Sequence, residues 1–398
     1  MDPLFFLVSK NGCPISVGDF RPICLLNSTI KLIIKILAER LQAVIIRLIH
    51  QNQYGFIKFR TIQDFLAWTF EYLHICKTSR KDLVIIKLDF EKAFNKIEHQ
   101  VILDNLKHKG FGDIWWLGWI KDIIITGTSS VLLNELPGKT FLCKRGLRQW
   151  DPLSPLLFVL AADLLQTVIN NAKDQGLLKL PIITGASNDF PVIQYAHDTL
   201  VIMEACPTQL TVLKDLLNTF AQSTWLKVNY SKSVMVPLNI SDGNLDQLAN
   251  LFNCQKGTLP FTYLGLPLGT NKPNIEDFLP LFQRIERRLT STSSILCQGG
   301  KLEMVNTVLS SSVVFQISSL KLHKGVIKQL DKYRKHYLWK GSNLGAKKPS
   351  KAAWPLVCLP KTEEGLGVID LTAHNNALLL KFLHKFYMKC DLPWVNLI

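Results

Sequence analysis

The stretch Leu83-Val-Ile-Ile-Lys-Leu-Asp-Phe90 decides how this chain is read. Leu83–Leu88 is apolar except for Lys87 and rich in β-branched side chains. It is too short for a helix of its own and reads as a buried strand. Asp89 stands at its C-terminal end. A carboxylate there is costly unless it is solvated, paired or bound to a cation. Such an Asp is most often a helix cap or turn residue. Downstream, Phe190–Glu204 reads as two apolar runs around a polar tip, a hairpin candidate that carries Asp198 at the tip. Two strands that bring carboxylates to one sheet edge make an oxygen-ligand site suited to Mg²⁺. Two such ions activate an attacking hydroxyl and steady a leaving pyrophosphate in phosphoryl transfer. Around this core, Lys31–Ile49 and Glu91–His108 read as helices, the second ended by Gly110.

Composition sets the outer limits. The 398 residues are 47% hydrophobic, enough for a large core, which excludes a disordered or fibrous chain. Length implies roughly two or three domains or lobes. Mean hydropathy is +0.15, yet no run of about 18 apolar residues lacks a charge; the richest, Leu153–Ile169, contains Asp163. No membrane span is expected. The N-terminus has no basic n-region or small-residue cleavage site, so the chain reads as intracellular, nuclear or cytoplasmic, and not secreted. Nine cysteines without a C-x-x-C pair read as reduced thiols with no zinc finger.

Lys and Arg number 46 against 31 Asp and Glu, a net +15 that favours an anionic partner, nucleic acid first. Low complexity is limited to Thr290–Ser294 and Ser310–Ser312. Beyond Glu276 the chain turns mostly helical and basic. From Gln283 to Lys351, fourteen Lys and Arg face three acids, 14 − 3 = +11. Tyr333, Tyr337 and Trp339 interleave with these cations, as on a surface that holds phosphates and stacks on bases. The alternative is an ordinary solvated helix face.

Seven motifs, in order, now carry a resemblance. They are Asp19-Phe-Arg-Pro-Ile-Cys-Leu-Leu-Asn27, Gln53-Tyr-Gly-Phe-Ile-Lys58, Val84–Phe94, Arg145-Gly-Leu-Arg-Gln-Trp-Asp-Pro-Leu-Ser-Pro155, Gln194-Tyr-Ala-His-Asp-Thr-Leu200, Leu226–Ser233 and Tyr263-Leu-Gly-Leu-Pro-Leu-Gly269. The set resembles the polymerase of a plant non-LTR (LINE-type) retrotransposon, from about Lys10 to the C-terminus. The resemblance implies an α+β, right-hand polymerase fold of fingers, palm and thumb, acting as an RNA-directed DNA polymerase. Residues 1–275 would be fingers and palm, 276–345 a helical basic thumb and 346–398 a C-terminal segment. It implies an RNA template, a DNA primer, deoxynucleoside triphosphates and two Mg²⁺ ions. Asp89, Asp198 and the Phe90 carbonyl would ligate metal, and Lys232 would be a general acid for pyrophosphate. Lys10 and Arg21 would hold the triphosphate, Phe94 would sit under the sugar and Gln149 would contact the nucleotide. Tyr263, Leu264 and Gly265 would form a primer-gripping hairpin, and Asp151–Pro155 would turn into a helix beside the template.

Departures from the family pattern fall on demanding positions. The hairpin tip of the family has two adjacent Asp; here the first is His197, a soft neutral donor in place of a hard anionic one. Phe59, Trp150 and Trp225 stand where the family has Gly, and Asn95 replaces an Asp. An indole at position 150 is expected to collide with the nucleotide or force its loop aside. His197 and Trp150 together predict a decayed, catalytically impaired copy; the alternatives are a non-catalytic nucleic-acid-binding remnant and a chain too strained to fold. Nothing upstream of Lys10 has room for the endonuclease of such elements, and the chain stops at Ile398 before any Cys/His cluster, so a polymerase core without its nicking partner is expected.

Overall fold

Leu83–Leu88 is a strand over the residues expected, and it is the middle of a sheet. The computed structural model describes residues 4–10, 12–112, 114–125, 127–185, 188–289, 296–341 and 349–398. The Thr290–Ser294 patch, Lys347, Lys348 and the boundary drawn at 345/346 lie outside the described residues. Strands in chain order are β1 (Leu4–Ser9), β2 (Phe20–Leu25), β3 (Leu83–Leu88), β4 (Thr128–Leu133), β5 (Leu136–Pro137), β6 (Phe141–Leu142), β7 (Val192–Tyr195), β8 (Asp198–Glu204), β9 (Val234–Leu238), β10 (Gln255–Lys256), β11 (Phe261–Tyr263) and β12 (Leu266–Leu268). The chain divides into two compact units, Met1–Phe65 with Ile75–Thr258, and Leu66–His74 with Leu259–Ile398.

The first unit holds two sheets. One runs β10-β9-β3-β8-β7, with β3 antiparallel to both of its neighbours. The other runs β2-β1-β4-β5, with β6 on β4. The hairpin read at Phe190–Glu204 is the β7–β8 pair. The helix read at Lys31–Ile49 starts earlier, at Ser28, because the Asn27 side chain accepts the Thr29 N–H at 3.1 Å and caps it; it ends at Ile45.

The single helix expected over Glu91–His108 is two, Ala93–Lys96 and His99–His108. Continuity would need the Glu98 N–H to reach the Phe94 carbonyl. Both groups are taken: the Phe94 carbonyl accepts from Leu147 N–H at 2.7 Å, and Glu98 N–H donates to Thr224 at 3.3 Å.

Ser154–Asp174 is long and apolar enough to cross a membrane, but 67% of its apolar window is buried inside the fold, as in a core helix. The charge in its middle, Asp163, is answered. Lys109 Nζ lies 3.0 Å from Asp163 Oδ2 and also donates to the Leu48 carbonyl at 2.5 Å, while the His50 N–H donates to Asp163 Oδ1 at 2.8 Å. The pair ties the loop after the first helix to the core.

In the second unit the described residues beyond Glu276 are mostly helical, including Leu279–Leu289, Lys324–Lys340 and Leu371–Tyr387. The aromatic surface expected there is not present. Tyr333 and Tyr337 are buried, on the same stripe as Val326, Ile327, Leu330 and Leu338, and Trp339 is half-buried. Helical spacing, not the neighbouring cations, decides which way these rings face. Arg334 is also lost from the cationic surface. It is 2% exposed, paired with Asp331 at 2.7 Å, and donates to the Ile369 carbonyl at 2.6 Å. Lys324, Lys328, Lys332, Arg284, Arg287 and Arg288 remain exposed. All nine cysteines are free.

Removing Asp163 leaves an ammonium in a largely buried site. Asp163→Ala is expected to lower stability by about 3 kcal/mol in urea denaturation, and Asp163→Leu with Lys109→Met to recover most of that loss.

Candidate active site

Strand register carries the acids to one place. β3 and β8 pair from Leu83↔Glu204 to Leu88↔Thr199, so the next position along the ladder sets Asp89 opposite Asp198. The apolar pairs stay in the core and the carboxylates fall beyond it. Ala196 and His197 form the two-residue turn between β7 and β8, whose last pair is Tyr195↔Asp198. His197 is therefore at the tip, exposed, one residue from Asp198.

Two segments hold this geometry. Gln53 is 1% exposed; its Oε1 accepts the Ala196 N–H at 2.9 Å and the Gly55 N–H at 3.0 Å, and its Nε2 donates to the Ala196 carbonyl at 3.3 Å. A Cβ on Gly55 would lie 2.3 Å from the Ala196 nitrogen, so only glycine fits against the turn. The Gln53–Lys58 motif thus shapes the tip that presents His197, a role the sequence reading left unassigned. A Gln two residues before a Gly was the only signal. The Leu226–Ser233 motif holds the other side. Asp89 N–H donates to Ser233 Oγ at 3.1 Å, and the Asp89 carbonyl accepts from Asn229 N–H at 2.7 Å. Glu91 N–H donates to the Lys227 carbonyl at 2.9 Å, leaving the Phe90 carbonyl outside this ladder pair.

A cleft of about 1000 Å³ opens in front of these residues, and Lys10, Arg21, Asp89, Phe90, Phe94, Gln149, His197 and Lys232 all line it. Asp198 adjoins it through the ladder. Phe94 is half-buried, stacked on Phe158 with centroids 4.3 Å apart, and its ring meets the His197 ring edge-on at 6.5 Å. It is a core contact and a cleft wall at once. Gln149 Nε2 donates to Asn95 Oδ1 at 3.3 Å beside it. The Lys96 ammonium pairs with Glu91 and holds that carboxyl below the usual range. Asp151 is a helix cap, as its residue type suggests: its Oδ1 accepts Leu153 N–H at 2.6 Å and Ser154 N–H at 2.9 Å, while burial raises its pKa.

Tyr263, Leu264 and Gly265 lie in the second unit and form the turn of the β11–β12 hairpin. Leu264 (φ 48°) and Gly265 (φ 81°) are both left-handed, as a two-residue turn requires, and the Tyr263 side chain is buried.

The bulky replacements occupy glycine-like backbone. Phe59, Trp150 and Trp225 have φ of 73°, 76° and 62°. The Trp150 indole is 74% exposed, and the Asp151 cap beside it is intact. The cost remains as left-handed backbone, about 1–2 kcal/mol per residue. Phe59 is likewise 77% exposed. Trp225 differs. The Arg145 guanidinium lies 3.7 Å from its ring centroid and Arg145 Nε 3.2 Å from Glu98 Oε2, a cation–π contact that offsets part of the strain.

The donor set falls short of what a pair of divalent ions requires. Asp89, Asp198 and the Phe90 carbonyl supply hard oxygens, but His197 supplies an imidazole. Among the described residues no group of three or more His, Cys, Asp and Glu side chains is placed to hold a metal ion. Mg²⁺ needs oxygen ligands in near-octahedral array, and the imidazole at 197 takes one oxygen ligand and one negative charge from the set.

Residues 8–268 match the family model of reverse transcriptase (RNA-dependent DNA polymerase). The chain is 24% identical over 401 residues to an uncharacterized 149 kDa protein of transposon TX1 from Xenopus laevis, covering 98% of this chain and 29% of that protein. It is 27% identical over 375 residues to the Pol polyprotein of type-2 retrotransposable element R2DM of Drosophila melanogaster, covering 89% and 32%. A putative ribonuclease H protein of Arabidopsis thaliana is 32% identical over 130 residues, covering 32% of this chain and 21% of that protein. The chain thus spans about a third or less of the length of these relatives. Among solved structures, telomerase from Candida albicans in complex with a fragment of telomeric RNA matches at TM-score 0.48 and 12% identity, covering 100% of this chain and 64% of that one.

Relieving the left-handed positions separates strain from compensation. Trp150→Gly and Phe59→Gly are each expected to raise stability by about 0.5–1 kcal/mol in thermal melts. Trp225→Gly is expected to change it by less than about 0.5 kcal/mol, because the Arg145 contact goes with the strain.

Proposed function

The chain belongs to the reverse transcriptase family, and we propose that it is the polymerase core of a non-LTR (LINE-type) retrotransposon whose nucleotidyl-transfer chemistry is lost at His197. The observation that carries this reading is the Asp89–Asp198 pair, set opposite each other by the ladder, with an imidazole at the turn beside them. A plant element is supported by the wording of the motifs and by the Arabidopsis match.

Within this reading the family substrates are an RNA template, a DNA primer and deoxynucleoside triphosphates. Lys10 and Arg21 hold the triphosphate, Gln149 contacts the nucleotide, and Phe94, fixed by Phe158, lies under the sugar. Lys232 faces the departing pyrophosphate. Leu264 and Gly265 support the primer through backbone, since the Tyr263 ring is buried. Residues 1–275 serve as fingers and palm, and the exposed cations of 276–345 as a thumb on the duplex. What supports the nucleotide-binding roles is that Lys10, Arg21, Phe94, Gln149 and Lys232 share one cleft with Asp89, Phe90 and His197. With two carboxylates and an imidazole, the site has one hard oxygen ligand and one negative charge fewer with which to hold two dications. A metal that contributes several kcal/mol to the transition state is worth on the order of 10³-fold or more in rate.

A second reading, a nucleic-acid-binding module without catalysis, is favoured by the +11 charge of residues 283–351.

Primer extension on an RNA template, with Mg²⁺ or Mn²⁺, tests the proposal. The chain as it stands is expected to leave the primer unextended. A variant with His197→Asp, Asn95→Asp, Trp150→Gly and Phe59→Gly is expected to gain on the order of 10³-fold or more. Extension by the unaltered chain would overturn the loss of catalysis. Binding of primer–template by both chains, with extension by neither, would favour the second reading.

A further inference from the structure

Resting on that reading, we propose that the cleft of the first unit binds a polyphosphate, free or as the tail of a nucleoside triphosphate, without a divalent cation, and that Mg²⁺ weakens this binding.

The lining carries five cations, Lys10, Arg21, Lys92, Lys96 and Lys232, against Asp89 and Glu91, 5 − 2 = +3. Lys96 and Glu91 neutralise each other. Counting Asp198 from the adjoining strand leaves four cations against two carboxylates, 4 − 2 = +2. Lys10 also faces Asp19, which keeps its charge while accepting the Ile15 N–H at 3.0 Å and the Ser16 N–H at 2.8 Å, so counting Asp19 as well leaves 4 − 3 = +1.

A polyphosphate meets carboxylates in a site built for two dications, and the ions bridge like charges. Here the third carboxylate is an imidazole, so the repulsion is smaller while the cations remain. The concave shape focuses their field, and opposite charges within a Debye length of about 8 Å act together. Asn95, Gln149 and Asn229 add neutral hydrogen-bonding groups to the lining. Chelation by Mg²⁺ removes two negative charges from the ligand and, with no complete ion site to receive the metal, nothing in the cleft replaces that attraction.

Calorimetric titration of the full chain with inorganic tripolyphosphate, and separately with a deoxynucleoside triphosphate, tests this in EDTA and in millimolar Mg²⁺. Binding is expected in EDTA, weakened several-fold by Mg²⁺. Tighter binding of the nucleotide than of tripolyphosphate identifies the nucleoside triphosphate as the ligand; equal binding identifies the phosphate chain alone. Arg21→Gln with Lys232→Gln is expected to weaken binding roughly tenfold or more, and Lys35→Gln, exposed on the Ser28–Ile45 helix, to leave it unchanged; melting curves show that each variant is folded. Binding that appears only with Mg²⁺ overturns the inference. If primer extension accompanies it, the loss of catalysis falls too; if not, that reading stands. No binding of either probe, in a chain that still binds primer–template, overturns the inference alone.

Discussion

The pairing of β3 with β8 is the constraint on which the site depends. β3 is buried and hydrogen-bonded on both edges, so its register is fixed by apolar pairs rather than by the acids. A slip of one residue would turn every side chain to the other face. With the register fixed, Asp89 and Asp198 can only fall beyond the last apolar pair, where water reaches them. Gln53 and Ser233 then hold the two ends from outside the sheet, through backbone groups that any side chain at positions 89 and 196–198 would present. The scaffold is therefore indifferent to the identity of residue 197. It presents an imidazole as firmly as it would a carboxylate.

Under the proposed loss of catalysis, that indifference lets the fold persist without the chemistry. Hydrogen bonds to main chain keep the hairpin tip, the Asp89 strand end and the Asp151 cap in place. The lesions sit on side chains or on exposed left-handed turns. Three strained residues at about 1–2 kcal/mol each weigh on a total of roughly 5–15 kcal/mol. Trp225 returns part of its share by stacking under Arg145, and the Trp150 indole is exposed and not among the residues that line the cleft. A chain can thus lose the charge its reaction needs while losing little of what holds it together.

Much of this was legible in the sequence. The strand at Leu83–Leu88 and the hairpin after Phe190 announce themselves by short apolar runs, and the family motifs brought Lys10, Arg21, Phe94, Gln149 and Lys232 to one cleft. The expectation of glycine at 59, 150 and 225 met positive φ at all three. What misled lies beyond local pattern. The break at Ile97–Glu98 comes from hydrogen bonds made by Leu147 and Thr224, distant in sequence. Tyr333, Tyr337 and Arg334 were read by the company of lysines, whereas their helical stripe buries them. Gln53 works through the backbone of residue 196, and no local signal encodes such a partner.

The central claim is that a site with Asp89, Asp198 and His197 does not hold two divalent ions. Electron paramagnetic resonance of Mn²⁺ bound to the chain with primer–template and nucleotide tests it directly. The account predicts no exchange-coupled ion pair at any Mn²⁺ concentration. A coupled pair of ions about 4 Å apart would contradict it.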